Sequence, residues 1–150
     1  MRQTRTASPK SPSGVISQIA KIRERINQLI VQELREHEIE GIVTSHGDIF
    51  YALFRHEELT MQETADLIGK DKSTVTALVD KLMKAGFIEK RQDETDRRVS
   101  FIRLTEAGER LRPDFHEISI TLLARIYAGF TEQEKETLIS LLTRIQKNIS

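Results

Sequence analysis

Two short runs of the chain carry side chains suited to a polyanion. The first holds Lys72, Ser73, Thr74, Thr76, Ala77 and Lys81. Small hydroxyls at the start of a helix can bond to base edges, and lysines beside them can meet phosphate. The free amides at such a helix end point the same way. The second run is Asp96-Arg97-Arg98, on a turn between two strand-like segments. Arginine on a narrow protrusion fits a minor groove, where negative potential concentrates. Asp96 is placed to hold one of these arginines by a charge-assisted bond. Each run also has a plainer reading, the first as a solvated helix face and the second as a surface turn with an ion pair.

The elements that must position these runs are legible from periodicity. Residues 14–36 read as a long helix, with Val15, Ile19, Ile22, Ile26 and Leu29 on one apolar stripe widened by Ile16, Ile30 and Leu34. A second helix is expected from Ser45 to Phe54 with Thr44 as its cap, after a break at Gly41. Thr60 and Glu63 form a capping box for a short third helix that ends at Gly69. A fourth begins at Asp71 or Lys72. Its Val75, Leu78, Val79 and Leu82 face a core, and Ser73, Thr76, Ala77, Asp80, Lys81 and Lys84 lie opposite, before Gly86. The period then changes. Residues 87–91 and 99–104 read as two strands of a hairpin whose tip is rich in arginine. Thr105 caps a helix expected to reach Gly129, with a kink or break at Pro113. Thr131 and Glu134 make a second capping box, and the last helix carries Leu138, Leu141, Leu142, Ile145 and Ile149. The fold class expected is mainly α with a small β-hairpin, a winged helix-turn-helix.

Composition narrows the classes. The 150 residues hold 23 basic and 23 acidic side chains and no cysteine, which removes disulfides, thiolate metal sites and cysteine redox sensing. The zero net charge is sorted along the chain. Residues 1–25 carry six basic groups against Glu24, and residues 70–103 carry nine basic and six acidic groups. Residues 1–13 are basic, rich in Pro, Ser and Thr, and read as a disordered arm. No secretory signal or bilayer-length apolar run is visible, so a cytoplasmic location is expected. No glycine-rich phosphate loop, nucleophile elbow or HExxH occurs, so the chain does not read as an enzyme, and no cofactor is implied.

At this point a resemblance can be named. Asp96-Arg97-Arg98-Val99-Ser100, followed by Leu104-Thr105-Glu106-Ala107-Gly108, resembles the wing and following cap of the MarR family of bacterial transcription regulators. The run Asp71–Leu82 is similar to that family's recognition helix, and Leu67-Ile68-Gly69 to the end of the helix before it. The likeness covers residues 14–149 in layout and is specific over 60–108. It implies a homodimer on a pseudo-palindromic site in double-stranded DNA. Residues 14–40 and 106–150 would form the dimerisation region and residues 41–105 the DNA-binding winged domain. The stripes of the first and last helices, too apolar to stay exposed, agree with this. The resemblance assigns Lys72, Ser73, Thr74, Thr76, Ala77 and Lys81 to the major groove, Arg98 to the minor groove and Arg97 to a phosphate. Many relatives hold arginine where this chain has Ala77, so base preference there does not carry over.

Repression by promoter occlusion is the expected mode, since no separate activation segment is visible. Some relatives bind small aromatic or phenolic anions. Here Arg23, His46, Phe50, Phe54 and Phe115 are the candidate lining, against the alternative that the aromatics are core. A zinc-responsive regulator is a further alternative, although His37, His46, His56 and His116 include no i,i+4 pair. A winged dimer acting through a protein partner is the remaining one, and its binding would lack a steep salt dependence.

Overall fold

In a computed structural model that describes residues 11–150, the chain opens on a 3-10 turn, Pro12–Gly14, and enters α1, Val15–Glu36. Most of the expected basic arm (residues 1–10) lies outside the described residues. Residues 11–13 are among the described ones, and Gly14 N–H donates to the Ser11 carbonyl at 2.9 Å, closing the 3-10 turn. Then follow α2 (Thr44–Arg55), β1 (Leu59–Thr60), α3 (Met61–Ile68) and α4 (Lys72–Lys84). They lead into β2 (Ile88–Gln92), β3 (Ser100–Leu104), α5 (Glu106–Glu109), α6 (Arg112–Ile126) and α7 (Glu132–Ile149). No helix among the described residues is long and apolar enough to cross a membrane.

Two local expectations are corrected. Thr44 is the first residue inside α2, and the cap position is Val43. Val43 N–H donates to the His46 Nδ1 at 3.0 Å, so an imidazole three residues on does the capping. The hairpin is part of a three-stranded antiparallel sheet in the order β1-β3-β2, with Leu59 opposite Ile102 and Lys90 opposite Ile102 on the other side. The break expected at Pro113 is present, so the stretch from Glu106 is two helices, and the second ends at Ile126, three residues short of Gly129. Pro113 sits in the first turn of α6, where its missing N–H costs nothing, and the chain breaks just before it.

One core joins these elements. Ile49, Phe50 and Leu53 of α2, Val75, Val79 and Leu82 of α4, and Ile88 and Ile102 of the sheet are all buried together. Phe115 and Ile118 tie α6 to the same cluster, and Phe115 stacks on Phe50 with ring centroids 4.9 Å apart. The sheet packs on α4 through a short turn at Gly86, whose φ of 81° suits a residue without a Cβ. By contrast, α7 buries none of its residues, and Ile16 of α1 and Ile149 of α7 are each 80% exposed. Ile120, Leu123 and Ile126 of α6 and Leu141 and Leu142 of α7 are exposed as well.

The join between the sheet and α5 is tight. Thr105 donates its N–H to the Phe87 carbonyl at 3.0 Å and its hydroxyl to the Gly86 carbonyl at 2.6 Å. Gly108 lies directly on that carbonyl, and a Cβ there would overlap the Phe87 oxygen, a backbone atom that cannot swing aside. Gly108→Ala is therefore expected to destabilise the chain by about 2 kcal/mol in urea unfolding. Gly14→Ala, where a Cβ meets nothing, is expected to leave the midpoint nearly unchanged. Equal midpoints for the two variants would contradict this packing.

Candidate nucleic-acid interface

The interface is built on the start of α4. The turn from α3 passes through Gly69, at φ 66°, and Asp71 then caps α4. Its carboxylate accepts from Thr74 N–H at 2.8 Å, from the Ser73 hydroxyl at 2.6 Å and from the Thr74 hydroxyl at 3.0 Å. These bonds to the ionised form lower the Asp71 pKa to about 2, led by the Ser73 hydroxyl. Beyond the cap, Val75, Val79 and Leu82 face inward, while Lys72, Ser73, Thr76, Ala77, Asp80, Lys81 and Lys84 are exposed. Thr74 is half-buried and gives both its N–H and its hydroxyl proton to the cap.

The wing tip is shaped by a second carboxylate. Asp96 accepts Arg98 N–H at 3.0 Å and the Arg98 guanidinium through Nε at 3.0 Å and a terminal nitrogen at 3.1 Å. This fork holds the guanidinium on the turn while the arginine side chain stays 90% exposed. The same bonds lower the Asp96 pKa, the side-chain bond from Arg98 being the largest cause. Arg97 is exposed on the turn beside it.

Helix and wing share one open groove of about 370 Å³. Lys72 and Thr76 line it from α4, Thr60 and Gln62 from the start of α3, and Lys90 and Arg98 from the wing. Among the described residues, no carboxylate lines it. The structure thus brings Lys72, Thr76 and Arg98 onto one groove, and it adds Lys90, which the sequence reading missed. Period-2 alternation in β2 does place Lys90 on the side of buried Ile88. That the side opens toward α4 required the tertiary arrangement. The neighbouring Arg91 is already held by Glu58 at 2.6 Å. Lys81 lies away from the groove, on the other edge of the exposed face.

The residues suggested for a ligand are dispersed. His46 is 1% exposed, and its Nε2 has no hydrogen-bond partner among the described residues. Burial lowers its pKa, and nearby Lys81 adds to the effect. Phe50 and Phe115 are core residues, and Arg23 is exposed on α1. Of the five, Phe54 lines an open groove, together with Tyr51, Arg112, Pro113, His116 and Ser119. This α2–α6 groove holds about 440 Å³. The Arg112 guanidinium lies 4.6 Å from the Phe54 ring centroid, donates to the Phe54 carbonyl at 2.9 Å and is paired with Glu109. The Tyr51 hydroxyl bonds the Phe115 carbonyl and Ser119. Helical spacing marked the aromatics correctly as a cluster, but which ring faces outward depends on where α6 crosses. Of the histidines, His37 bonds Asp114 at 2.9 Å, and no three His, Cys, Asp or Glu groups among the described residues are placed to hold a metal ion.

Comparison with known proteins agrees with this geometry. Residues 45–100 match the MarR family. The chain is 28% identical over 114 residues to the HTH-type transcriptional regulator YybA of Bacillus subtilis, covering 75% of this chain and 76% of that protein. The fold is similar to a mutant MarR from E. coli complexed with operator DNA, with a TM-score of 0.78 and 18% identity over 91% of this chain and 99% of that one. It is also similar to BpsR of Bordetella bronchiseptica, whose DNA binding is regulated by 6-hydroxynicotinic acid. There the TM-score is 0.79 and identity 14%, over 93% of this chain and 96% of that one.

The Asp71 cap sets a pH dependence. Its folded pKa of about 2 lies below the ordinary 3.8, so its stabilising contribution is complete above the ordinary value and is lost as pH falls toward 2. Wild type and Asp71→Ala are expected to differ in urea midpoint at pH 6 and to converge between about pH 4 and pH 2. A difference that stays constant down to pH 2 would show that Asp71 does not act as an ionised cap.

Proposed function

We propose that this chain, whose residues 45–100 match the MarR family, is a homodimeric, ligand-responsive repressor of a pseudo-palindromic operator. Each α4 enters a major groove with Lys72, Ser73, Thr74, Thr76, Ala77 and Lys81, and each wing reaches a minor groove with Arg98. The observation that carries this reading is the shared groove. Lys72, Lys90 and Arg98 line it with no carboxylate among the described lining residues, and Asp96 holds the Arg98 guanidinium on the tip. Cations in such an arrangement suit a phosphate backbone passing between the two reading elements. Arg97 adds a further backbone contact.

The exposed apolar faces of α1, α6 and α7 support the dimer. Ile16, Ile19 and Ile22, Leu123 and Ile126, and Leu141 and Leu142 would be costly to leave in water, and a second copy covers them by two-fold symmetry. In this reading residues 14–40 and 106–150 dimerise and residues 41–105 bind DNA. The α2–α6 groove is the effector site. Tyr51 and Phe54 offer an aromatic wall, and Arg112 and His116 stand near a carboxylate or phenolate. The effect of an aromatic acid on BpsR supports that ligand class.

Fluorescence anisotropy with a duplex from the region upstream of the chain's own gene tests the DNA reading. Wild type is expected to bind with a steep salt dependence. Arg98→Ala and Lys90→Ala should each weaken it on every sequence and lower the log–log salt slope by about one unit. Salt-independent binding would favour a protein partner. Leu142→Glu tests the dimer by sedimentation. It should leave the helical signal intact, give a monomer and weaken operator binding at least tenfold, whereas a fully dimeric variant would contradict the assigned interface.

A further inference from the structure

The hydroxyls of α4 already have their protons engaged inside the protein. Ser73 donates to Asp71 Oδ1 at 2.6 Å, Thr74 to Asp71 Oδ2 at 3.0 Å and Thr76 to the Lys72 carbonyl at 2.8 Å. A hydroxyl has one proton to give, so what remains to face outward is a pair of lone pairs. Asp80, exposed on the same face, is an acceptor only when ionised. At about 100° per residue, Thr76, Asp80 and Ser73 fall within roughly 60° of one another, with Lys72 on one flank and Lys81 on the other. Over residues 73–80 the centre of the reading face is therefore all acceptor; the nearest donors are Lys72 and Lys81 on its flanks, and Lys84 follows one turn beyond Asp80 at the C-terminal end of the helix.

We infer that α4 reads exocyclic amino groups in the major groove, the N6 amine of adenine and the N4 amine of cytosine, and not the N7, O6 or O4 acceptors. The inference rests on the DNA-binding reading above and adds the polarity of the contact. In the major groove every base pair offers one amine together with acceptors, so polarity decides which strand and which atom is read. Asp80 is matched to cytosine N4, the usual base partner of a carboxylate. The bonds that fix this polarity are not easily turned outward. Asp71 is held in place by the Thr74 N–H at 2.8 Å, and rotating Ser73 away would remove a charge-assisted bond from the helix cap. Thr76 is bonded to the carbonyl four residues back, a local pattern independent of any ligand. Ala77, beside these groups, adds only a methyl, the right partner for the methyl of a thymine.

The test uses the full chain and the duplex it enriches from a randomised library. At each base pair of a half-site, one set of duplexes lacks the exocyclic amine, with purine for adenine or 2-pyrimidinone for cytosine. A second set lacks the N7 acceptor, with 7-deazapurines. Binding of wild type, Ser73→Ala and Thr76→Val is measured on both sets, with circular dichroism to show that the variants are folded. The comparison between proteins cancels the weaker base pairing that the analogues themselves introduce. Amine removal at the contacted positions is expected to cost wild type about five- to tenfold and the matching variant less than twofold. The 7-deaza duplexes should then affect wild type and variants equally. A 7-deaza penalty present in wild type and absent in a variant would overturn the inference, because that hydroxyl would be donating. So would analogue penalties identical in all three proteins, because the hydroxyls would then touch no base. If wild type enriches no duplex, the DNA-binding reading itself fails, and the polarity with it.

Discussion

Burial of one face of α4 governs the surface that this helix and the wing present together. Val75 and Val79 are fully buried and Leu82 nearly so, against Ile49 and Phe50 of α2 and Ile88 and Ile102 of the sheet. Each such side chain contributes about 1.5–3 kcal/mol when removed from water, so the helix cannot rotate about its axis without losing a large part of the core. That fixes which residues face out. It also fixes the wing, because Ile88 and Ile102 belong to the strands that carry Arg98 to its tip. Reading helix and wing are thus two faces of one packed unit, and the groove between them is a consequence of a shared core.

On that frame, two carboxylates shape the surface. Asp71 orders the first turn of α4 and engages its hydroxyl protons, and Asp96 orders the wing tip and aims Arg98. Asp71 is exposed and Asp96 half-buried, and the groups they accept from favour the ionised form of both. Neither adds to the core, so each gives shape at little cost in burial. The cations they leave unpaired, Lys72 and Lys90, then face the same groove. Surface ion pairs are weak contributors to stability, which makes their use for positioning the better physical account.

Much of this was legible in the sequence, and the reasons are local. The capping boxes at Thr60–Glu63 and Thr131–Glu134 are formed, with the carboxylate of each accepting from the cap N–H. Pro113 ended one helix and began the next, as a residue without an N–H must. What escaped was set by tertiary contacts. β1 has only two residues, too few to show alternation, and exists because β3 offers it an edge. Val43 is capped by the His46 ring, a partner outside the usual serine, threonine, aspartate and asparagine. Phe50 and Phe54 are one helical turn apart on α2, and sequence alone could not tell which of them α6 would cover. Lys90 needed the groove itself to be seen.

If α4 and the wing act as one surface on DNA, amide chemical shifts of the full chain, followed by NMR while an enriched operator duplex is added, will show it. Lys72–Ala77 and Asp96–Val99 are expected to respond together, at the same saturation, while the α7 amides change little. Shifts confined to one of the two elements, or concentrated in α7, would contradict it.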